Sequence, residues 1–325
     1  MSPFTTDEVR AAAATLRPGA TVESVSEIAP GKNAVYHVRF DDRETVLKLG
    51  TESPERVRAE PAVIALVADA TTVPVPTVVA ASDEVLSVPC VLFDRVAGET
   101  VDDLSPDLSS ATLARVADAA GRHLASLHES TSFDGVGPLV PDDTGPTPGG
   151  PDRGWQSLLC RTATAKIDRL PASFDDHRDA IRDGVERVLA AWDGPDGVDS
   201  VLAHMDYRPA NLVLDTGAEP VVRAVLDWGG AAAAPPAYEL AHVETLLTAW
   251  PGVDDPPRLR DPLRASYTTV AGVDSFPDVP AVYRLDATLR VGKHLELFAD
   301  RRSDVSTATL AEDTLDSLRS FGVLE

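Results

Sequence analysis

The first third of the chain alternates between apolar and polar positions in short runs, a pattern that predicts strands. Strands are predicted for residues 21–28, 35–40, 45–49, 77–81 and 88–93. Residues 7–16 are predicted to form a leading helix, and residues 54–69 a second helix with apolar side chains at helical spacing. Pro61 falls inside this second helix, so we expect a kink there or a helix that restarts at it. These elements predict a small antiparallel sheet with one main helix.

From about residue 96 onward, the pattern changes to one that favours helices. Helices are predicted for residues 109–129, 155–170, 177–193, 237–250, 260–269, 279–299 and 306–320, with short strands between 200 and 230. Residues 138–153 are rich in Pro, Gly and Asp, which predicts an exposed, mobile loop. We therefore expect two lobes with a cleft between them: an N-terminal lobe of residues 1–95 and a helical lobe of residues 96–325.

Length and composition limit the class of protein. The chain has 325 residues, of which 43% are hydrophobic, as in a globular protein. Its first residues lack the basic and apolar regions of a signal peptide, and no stretch of about 20 apolar residues could span a membrane. A cytoplasmic protein without membrane segments is expected. Cys90 and Cys160 lie far apart in apolar surroundings, which predicts buried free thiols.

The net charge of −23 is spread along the whole chain. Only four residues are lysines: Lys32, Lys48, Lys166 and Lys293. A dispersed acidic surface with few lysines fits a halophilic protein, because concentrated salt screens the repulsion between its carboxylates. Binding of cationic ligands is the rival interpretation. Nucleic-acid binding is not expected, because no basic stripe is present.

The strongest chemical signal is the segment His204-Met-Asp206-Tyr-Arg-Pro-Ala-Asn211, followed by Asp227-Trp-Gly229. An apolar run precedes each aspartate, which places both carboxylates at strand ends. One carboxylate could accept a hydroxyl proton, while the amide and the other carboxylate could ligate Mg²⁺, which prefers oxygen ligands. The pattern predicts phosphoryl transfer. The alternative is that both aspartates only form turns.

A second signal lies in the predicted sheet. Lys48 ends an apolar strand, and Glu60 lies twelve residues later on the next helix. A nucleotide site needs a cation for the phosphates and a carboxylate that orients it. Upstream, a turn containing Gly31 and Asn33 could bring backbone N–H groups close to phosphates, although alone it would be an ordinary hairpin turn.

Taken together, the chain resembles the aminoglycoside phosphotransferase/choline kinase family of small-molecule kinases over about residues 20–245. The matching segments are Gly31–Tyr36, Lys48, Glu60, 93–98, Gly121–His128, His204–Asn211 and Asp227-Trp228. The resemblance implies an α+β, bilobal protein-kinase-like fold. It also implies ATP-dependent transfer of a phosphoryl group to a hydroxyl of a small molecule.

The resemblance implies a role for each matching residue. Asp206 would be the catalytic base, Asn211 and Asp227 would ligate Mg²⁺, and Lys48 would contact the phosphates while Glu60 holds it. The turn with Gly31 and Asn33 would lie over the phosphates. The adenine would meet hinge backbone at Val91, Phe93 and Arg95. His204 would brace the loop instead of moving protons.

Some positions depart from the family pattern. Gly229 stands where many relatives have glutamate, Tyr207-Arg208 replaces Leu-His, and Glu239 stands where aspartate is usual. Candidate acceptor-binding residues are Tyr238, Glu239, Glu244 and Trp250.

Two other functions stay open. One is a nucleotide-binding pseudoenzyme. The other is a metal-dependent hydrolase that would use His204, Asp206, Asp227 and His242. The acceptor, the choice between ATP and GTP, and the oligomeric state are not defined by the sequence.

Overall fold

The N-terminal part of the chain folds into a five-stranded antiparallel sheet, which we call the sheet lobe together with its two helices. The computed structural model describes residues 3–28, 33–100, 108–150, 154–194, 198–248, 256–301 and 306–325. The strands are β1 (Val22–Glu27), β2 (Ala34–Phe40), β3 (Glu44–Leu49), β4 (Val78–Ser82) and β5 (Cys90–Asp94). Their order in the sheet is β1-β2-β3-β5-β4, and the helices are α1 (Thr6–Leu16) and α2 (Pro54–Ala70). The predicted antiparallel sheet is confirmed.

Alternation along the strands decides what each face of this sheet contacts. Leu47 and Leu49 are fully buried and belong to a core cluster that includes Val9 of α1. Because side chains alternate across a strand, Lys48 lies on the opposite face, where α2 supplies Glu60. The alternation along β3 thus places Leu47 and Leu49 on one face of the sheet and Lys48 on the other.

The main helix of the sheet lobe is continuous. It begins at Pro54, where a missing N–H costs no helical hydrogen bond, and it runs through Pro61 to Ala70. The predicted restart at Pro61 is therefore wrong. The helix continues because burial of Val57, Val63, Ile64 and Val67 outweighs the loss of one backbone donor.

The described residues after Arg95 form mainly helices with two small sheets, which we call the helical lobe. Its helices are α3 (Ser110–Ser130), α4 (Trp155–Ile167), α5 (Arg178–Ala191), α6 (Pro236–Thr248), α7 (Pro256–Ala271), α8 (Ala281–Gly292), α9 (Leu295–Arg301) and α10 (Thr307–Ser320). Its strands are β6 (Glu99–Thr100), β7 (Gly137–Asp142), β8 (Gly145–Pro148), β9 (Val201–Ala203), β10 (Leu212–Leu214), β11 (Val222–Val225) and β12 (Ala232–Ala234). They form two small sheets, in the orders β11-β10-β6 and β8-β7-β12-β9.

Close helix packing supports this lobe. The α3 backbone at Gly121 lies against the α7 backbone at Leu263, so close that a Cβ at position 121 would overlap the Leu263 carbonyl oxygen. Glycine is therefore required at this crossing. Helix α3 also packs against β9. The α3–α7 pair therefore supports β9 and the segment of residues 204–211 that follows it.

Two predictions for this lobe are wrong. Residues 138–153 were expected to form a mobile loop, but β7 and β8 form a hairpin there, and β7 also pairs with β12. β8 lies at the edge of its sheet, where Pro and Gly are tolerated, so turn-rich composition did not exclude a strand there. The single helix expected over 279–299 is divided into α8 and α9.

Two further predictions concern the thiols and membrane segments. Both cysteines are free, but Cys90 is buried and Cys160 only half-buried. Among the described residues, no helix is long and apolar enough to cross a membrane.

Candidate active site

The segment between β9 and β10, which we call the catalytic loop, is fixed by a buried carboxylate. Oε1 of Glu239 on α6 accepts the backbone N–H of His204 at 2.5 Å and that of Met205 at 3.3 Å. Met205 has φ of 64°, a left-handed conformation that is unusual for methionine. Its carbonyl oxygen accepts from Arg290 on α8, so both backbone groups of this strained residue are bound. Glu239 thus has a structural role in this loop, and it is not available as the acceptor-binding residue that the sequence suggested.

His204 braces the catalytic loop from inside. Its Nδ1 accepts the backbone N–H of Asp206 at 3.1 Å, and its Nε2–H donates to the carbonyl oxygen of Leu226 at 2.9 Å. Burial lowers the pKa of His204, which agrees with a neutral ring that accepts on one nitrogen and donates on the other. Both nitrogens are used for structure, so neither is available as a metal ligand or proton carrier.

The carboxylate of Asp206 is surrounded by donors. Arg290 donates to its Oδ1, while Arg208 and Asn211 donate to Oδ2 at 3.3 and 2.9 Å. Burial would raise the pKa of Asp206, but the charges of Arg290 and Arg208 outweigh burial and lower it. Asp206 is therefore ionised at neutral pH, as a group that accepts a hydroxyl proton must be.

Leu226 connects Asp227 to the catalytic loop through its backbone. Its N–H donates to the carbonyl oxygen of Asn211 at 2.8 Å, and its carbonyl oxygen accepts from His204. Asp227 follows directly, with φ of 62° and ψ of 59°, and its side chain is 50% exposed. Asp227 thus has a strained, left-handed backbone just after β11, and its half-exposed carboxylate contacts Lys48.

Lys48 joins the sheet lobe to this segment. Its Nζ lies 2.7 Å from Oε2 of Glu60 and 2.7 Å from Oδ1 of Asp227. Burial opposes the charge of Lys48, but the two carboxylates outweigh burial and raise its pKa above the ordinary value. The predicted pair of Lys48 and Glu60 is formed, and Asp227 completes an ion-pair group.

The turn after Asp227 packs directly against α2. The backbone N–H of Trp228 donates to Oε1 of Glu60 at 3.1 Å, and the Trp228 ring lies edge-on to the His204 ring at 4.5 Å. At Gly229, a Cβ would lie 2.7 Å from the carbonyl oxygen of Arg56 on α2. This close approach leaves no room for a side chain at position 229 unless α2 shifts.

The predicted phosphate turn is only partly described. Gly31 lies outside the described residues. Asn33 lies beside the start of α2, where its Oδ1 accepts the backbone N–H groups of Glu52 and Ser53, each at 3.3 Å. Asn33 therefore anchors the turn to α2. A contact of this turn with phosphates stays a prediction.

The predicted hinge residues lie on β5 and just after it. Val91 pairs with Lys48 of β3, and Phe93 pairs with Val46, while β4 lies along the other edge of β5. The backbone N–H of Arg95 donates to the carbonyl oxygen of Glu44 at 3.0 Å. These backbone groups take part in the sheet, and a contact of Val91, Phe93 or Arg95 with an adenine stays a prediction.

Helix α3 supports the loop through two histidines. His128 donates from Nε2 to Oε2 of Glu239 at 2.9 Å, and its Nδ1 lies 3.0 Å from the Tyr267 hydroxyl. His123 Nδ1 lies 2.8 Å from the hydroxyl of Tyr207, which is fully buried. The sequence gives no partner for either histidine, because the partners lie 84 or more residues away.

The metal-hydrolase alternative is not supported. Among the described residues, no group of three or more His, Cys, Asp or Glu side chains could hold a metal ion. His204 is bound by backbone on both sides, and Nε2 of His242 lies 3.0 Å from Asp286. The structure does not assemble the four residues that this function requires.

The candidate acceptor residues of α6 are mostly used inside the protein. The Tyr238 hydroxyl donates to Asp286 at 2.5 Å, and Glu244 is buried between two arginines. Trp250 lies outside the described residues. Sequence reasoning missed Arg290, because no local pattern distinguishes it from other helix-surface arginines.

Comparisons with known proteins agree with this geometry. The profile of the phosphotransferase enzyme family matches residues 24–277. A search of curated proteins finds no match.

Solved structures with the same fold cover nearly the whole chain. A Ralstonia eutropha protein assigned to the aminoglycoside phosphotransferases has a TM-score of 0.63 and 19% identity, covering 98% of this chain and 96% of that chain. Aminoglycoside phosphotransferase APH(4)-Ia has a TM-score of 0.67 and 17% identity, with coverage of 98% and 99%. Spectinomycin phosphotransferase APH(9)-Ia has a TM-score of 0.58 and 13% identity, with coverage of 98% and 94%. At these identities the likeness shows the bilobal protein-kinase-like fold.

Proposed function

This chain belongs to the phosphotransferase enzyme family and is a small-molecule phosphotransferase, and from that premise we propose that it transfers the γ-phosphoryl group of ATP to a hydroxyl group. In this proposal Asp206 is the base, Lys48 contacts the phosphates, and Asn211 and Asp227 hold Mg²⁺. Structures of related phosphotransferases contain ADP, AMP-PNP or GDP, which supports a nucleotide donor. GTP is the alternative donor.

One observation carries the proposal: a continuous set of contacts joins the cation, the metal ligands and the base. Lys48 contacts Asp227, Leu226 binds the backbone of Asn211, and Asn211 donates to Asp206. These residues come from β3, the catalytic loop and the end of β11. A pseudoenzyme has no need for an intact set, so catalysis is the better interpretation.

The donor groups fit Mg²⁺. Asn211 uses its amide nitrogen for Asp206, which leaves its amide oxygen for a cation. Asp227 offers a carboxylate that is half exposed. Two protein oxygens suit Mg²⁺, which commonly takes its other ligands from water and substrate phosphates. When bound, Mg²⁺ would neutralise charge on the phosphates.

The residues of the chain then have separate tasks. Lys48, held by Glu60, draws the phosphates toward the sheet lobe. Asp206 accepts the hydrogen of the acceptor hydroxyl and orients its oxygen. A bond forms between that oxygen and the γ-phosphorus while the bond to the bridging oxygen breaks, so ADP leaves and the proton passes to Asp206. Asn211 holds Asp206 in place.

Calorimetry and turnover test these roles separately. We expect Lys48→Ala and Asp227→Asn to weaken Mg-ATP binding sharply, because the first removes the cation proposed to contact the phosphates and the second removes a carboxylate ligand proposed for Mg²⁺. Asp206→Ala should keep nucleotide binding but abolish turnover. Asp215→Asn, an exposed aspartate beside β10, is the matched control. Wild-type protein that binds neither ATP nor GTP would overturn the proposed function.

We also propose that the enzyme works in concentrated salt. The net charge of −23 is dispersed, and most acidic side chains in the described ion pairs are strongly exposed. Screening shortens the range of their repulsion to a few ångströms at about 1 M salt. Binding and activity should therefore be measured in concentrated KCl.

A further inference from the structure

Two arginines contact the carboxylate of the proposed catalytic base. Arg290 donates to Oδ1 of Asp206, and Arg208 donates to Oδ2 at 3.3 Å. Arg290 comes from α8 of the helical lobe, whereas Arg208 belongs to the catalytic loop. A hydroxyl that gives its proton to Asp206 must therefore lie next to a guanidinium group.

The two arginines carry more charge than Asp206 neutralises. Guanidinium groups stay protonated in proteins, so two cations and one carboxylate leave one net positive charge. The side chains of Arg290 and Arg208 are 16% and 28% exposed, so water solvates this charge only in part. An anion bound beside them would offset the cost of the partly buried charge. Such local positive charge contrasts with the chain's net charge of −23.

Buried carboxylates near this point are already neutralised. Asp286 lies one helical turn before Arg290, and its two oxygens accept from Lys166 at 2.7 and 2.6 Å. Glu244 accepts from arginines of α7 and α8 at 2.5 and 2.8 Å. These carboxylates are therefore not available for the ammonium groups of a polycationic acceptor.

We propose, on the basis of the proposed function, that the acceptor is a small hydroxylated anion with a carboxylate or phosphate group close to the reacting hydroxyl. Arg290 binds this group through paired N–H donors, because a planar guanidinium matches two anionic oxygens. Arg208 adds a second cation. Binding of the anion moves a donor away from Asp206 and leaves a carboxylate oxygen for the hydroxyl. Polycationic aminoglycosides would meet like charge here.

Matched acceptor pairs test this class. ADP release would be measured with Mg-ATP at one fixed KCl concentration, using glycerate and glycerol 3-phosphate against glycerol, gluconate against glucose, and kanamycin as the polycation. We expect kcat/KM to be at least about tenfold higher for the anionic member of a pair, a factor typical of one charge-assisted contact. Glycerate and glycerol 3-phosphate distinguish a carboxylate from a phosphate.

Variants of Arg290 provide a second test of the proposed acceptor class. Arg290→Gln also removes contacts to Met205 and Asp206, so it should affect every acceptor, but it should lower the ratio of kcat/KM for an anionic acceptor to that for its neutral counterpart at least about tenfold. Arg290→Lys should restore part of the difference, because it keeps the charge but not the paired donors. Arg182→Gln, which removes a surface ion pair of α5, is the matched control. Mg-ATP calorimetry and thermal unfolding show whether each variant is folded.

The outcomes separate this inference from the proposed function. Preference for neutral or cationic acceptors, or equal effects of Arg290→Gln on both classes, overturns the inference and leaves the kinase. The inference is also overturned, and the kinase kept, if Mg-ATP binds but every anionic compound fails two tests. Such a compound is not phosphorylated, and it does not raise the unfolding temperature above the value measured with its neutral counterpart. Absence of nucleotide binding overturns the proposed function itself.

Discussion

Glu239 accepts the backbone N–H of His204 while its other carboxylate oxygen accepts from His128. The catalytic loop is thus attached to α6 and, through His128, to α3. Glu239 is fully buried, so the donors that it satisfies have no water to replace it. The position of Asp206 depends on this carboxylate although Glu239 does not contact Asp206.

Replacing Glu239 should therefore reduce both stability and turnover. Glu239→Ala leaves the buried N–H groups of His204 and Met205 unpaired, which costs about 1–3 kcal/mol for each group. Glu239→Gln keeps one acceptor oxygen and should cost less. Urea unfolding and kcat measure the two effects, with Glu312→Gln on the surface of α10 as control. Equal unfolding free energies for Glu239→Ala and the control would contradict this account.

His123 and Tyr207 should be energetically coupled. His123 Nδ1 and the hydroxyl oxygen of Tyr207 lie 2.8 Å apart in a buried hydrogen bond, so loss of either partner leaves the other unpaired. In a double-mutant cycle with Tyr207→Phe and His123→Leu, we expect a coupling energy of about 1 kcal/mol in unfolding. Tyr267→Phe combined with His123→Leu is the control, because Tyr267 pairs with His128. Additive effects within the first cycle would show that the hydrogen bond contributes nothing.

Mild acid should destabilise the protein through its buried histidines. Burial lowers the pKa of both His123 and His242 to about 4, against 6.5 for an ordinary histidine. Between these values the unfolded chain binds protons that the folded chain does not. The stabilising effect is thus complete above pH 6.5 and is lost as the pH falls toward about 4. Each histidine contributes a slope of about 1.4 kcal/mol per pH unit in this window.

Unfolding free energies measured across this pH window check that slope. The His123→Leu variant should show a shallower dependence than the wild type, because His123 no longer contributes to the titration. His177→Gln, a change at a partly exposed histidine before α5, is the control. A wild-type unfolding free energy that is constant from pH 6.5 to 4 would be inconsistent with neutral buried rings.

Salt should stabilise the fold through screening of its acidic surface. We expect the unfolding temperature to rise between about 0.1 and 2 M KCl, because the Debye length falls from about 10 Å to a few ångströms. Sucrose at matched osmolality separates screening from solvent exclusion. An unfolding temperature that responds equally to both solutes would argue against surface repulsion.

The sequence predicted those parts of the site whose geometry follows from local pattern. Leu47 and Leu49 define the apolar face of β3, so Lys48 had to lie on the other face. The order of polar residues along the catalytic loop likewise identified Asp206 and Asn211. Their arrangement in the structure follows from strand ends that the apolar runs had marked.

Long-range partners could not be predicted in this way. Arg290 reaches Asp206 across 84 residues, and its place depends on how α8 packs in the helical lobe. The β7–β8 hairpin was missed because its stability comes from pairing with β12, which no local propensity records. Tertiary packing decided both features.

The contacts of Leu226 have a consequence for sequence variation. Its N–H and carbonyl oxygen hold Asn211 and His204, so the spacing between the two aspartates depends on main-chain atoms and not on the leucine side chain. Many side chains could replace it without moving either carboxylate. Proline is the exception, because it has no N–H to donate. The side chain at position 226 can therefore vary as long as the backbone N–H and carbonyl oxygen keep these contacts.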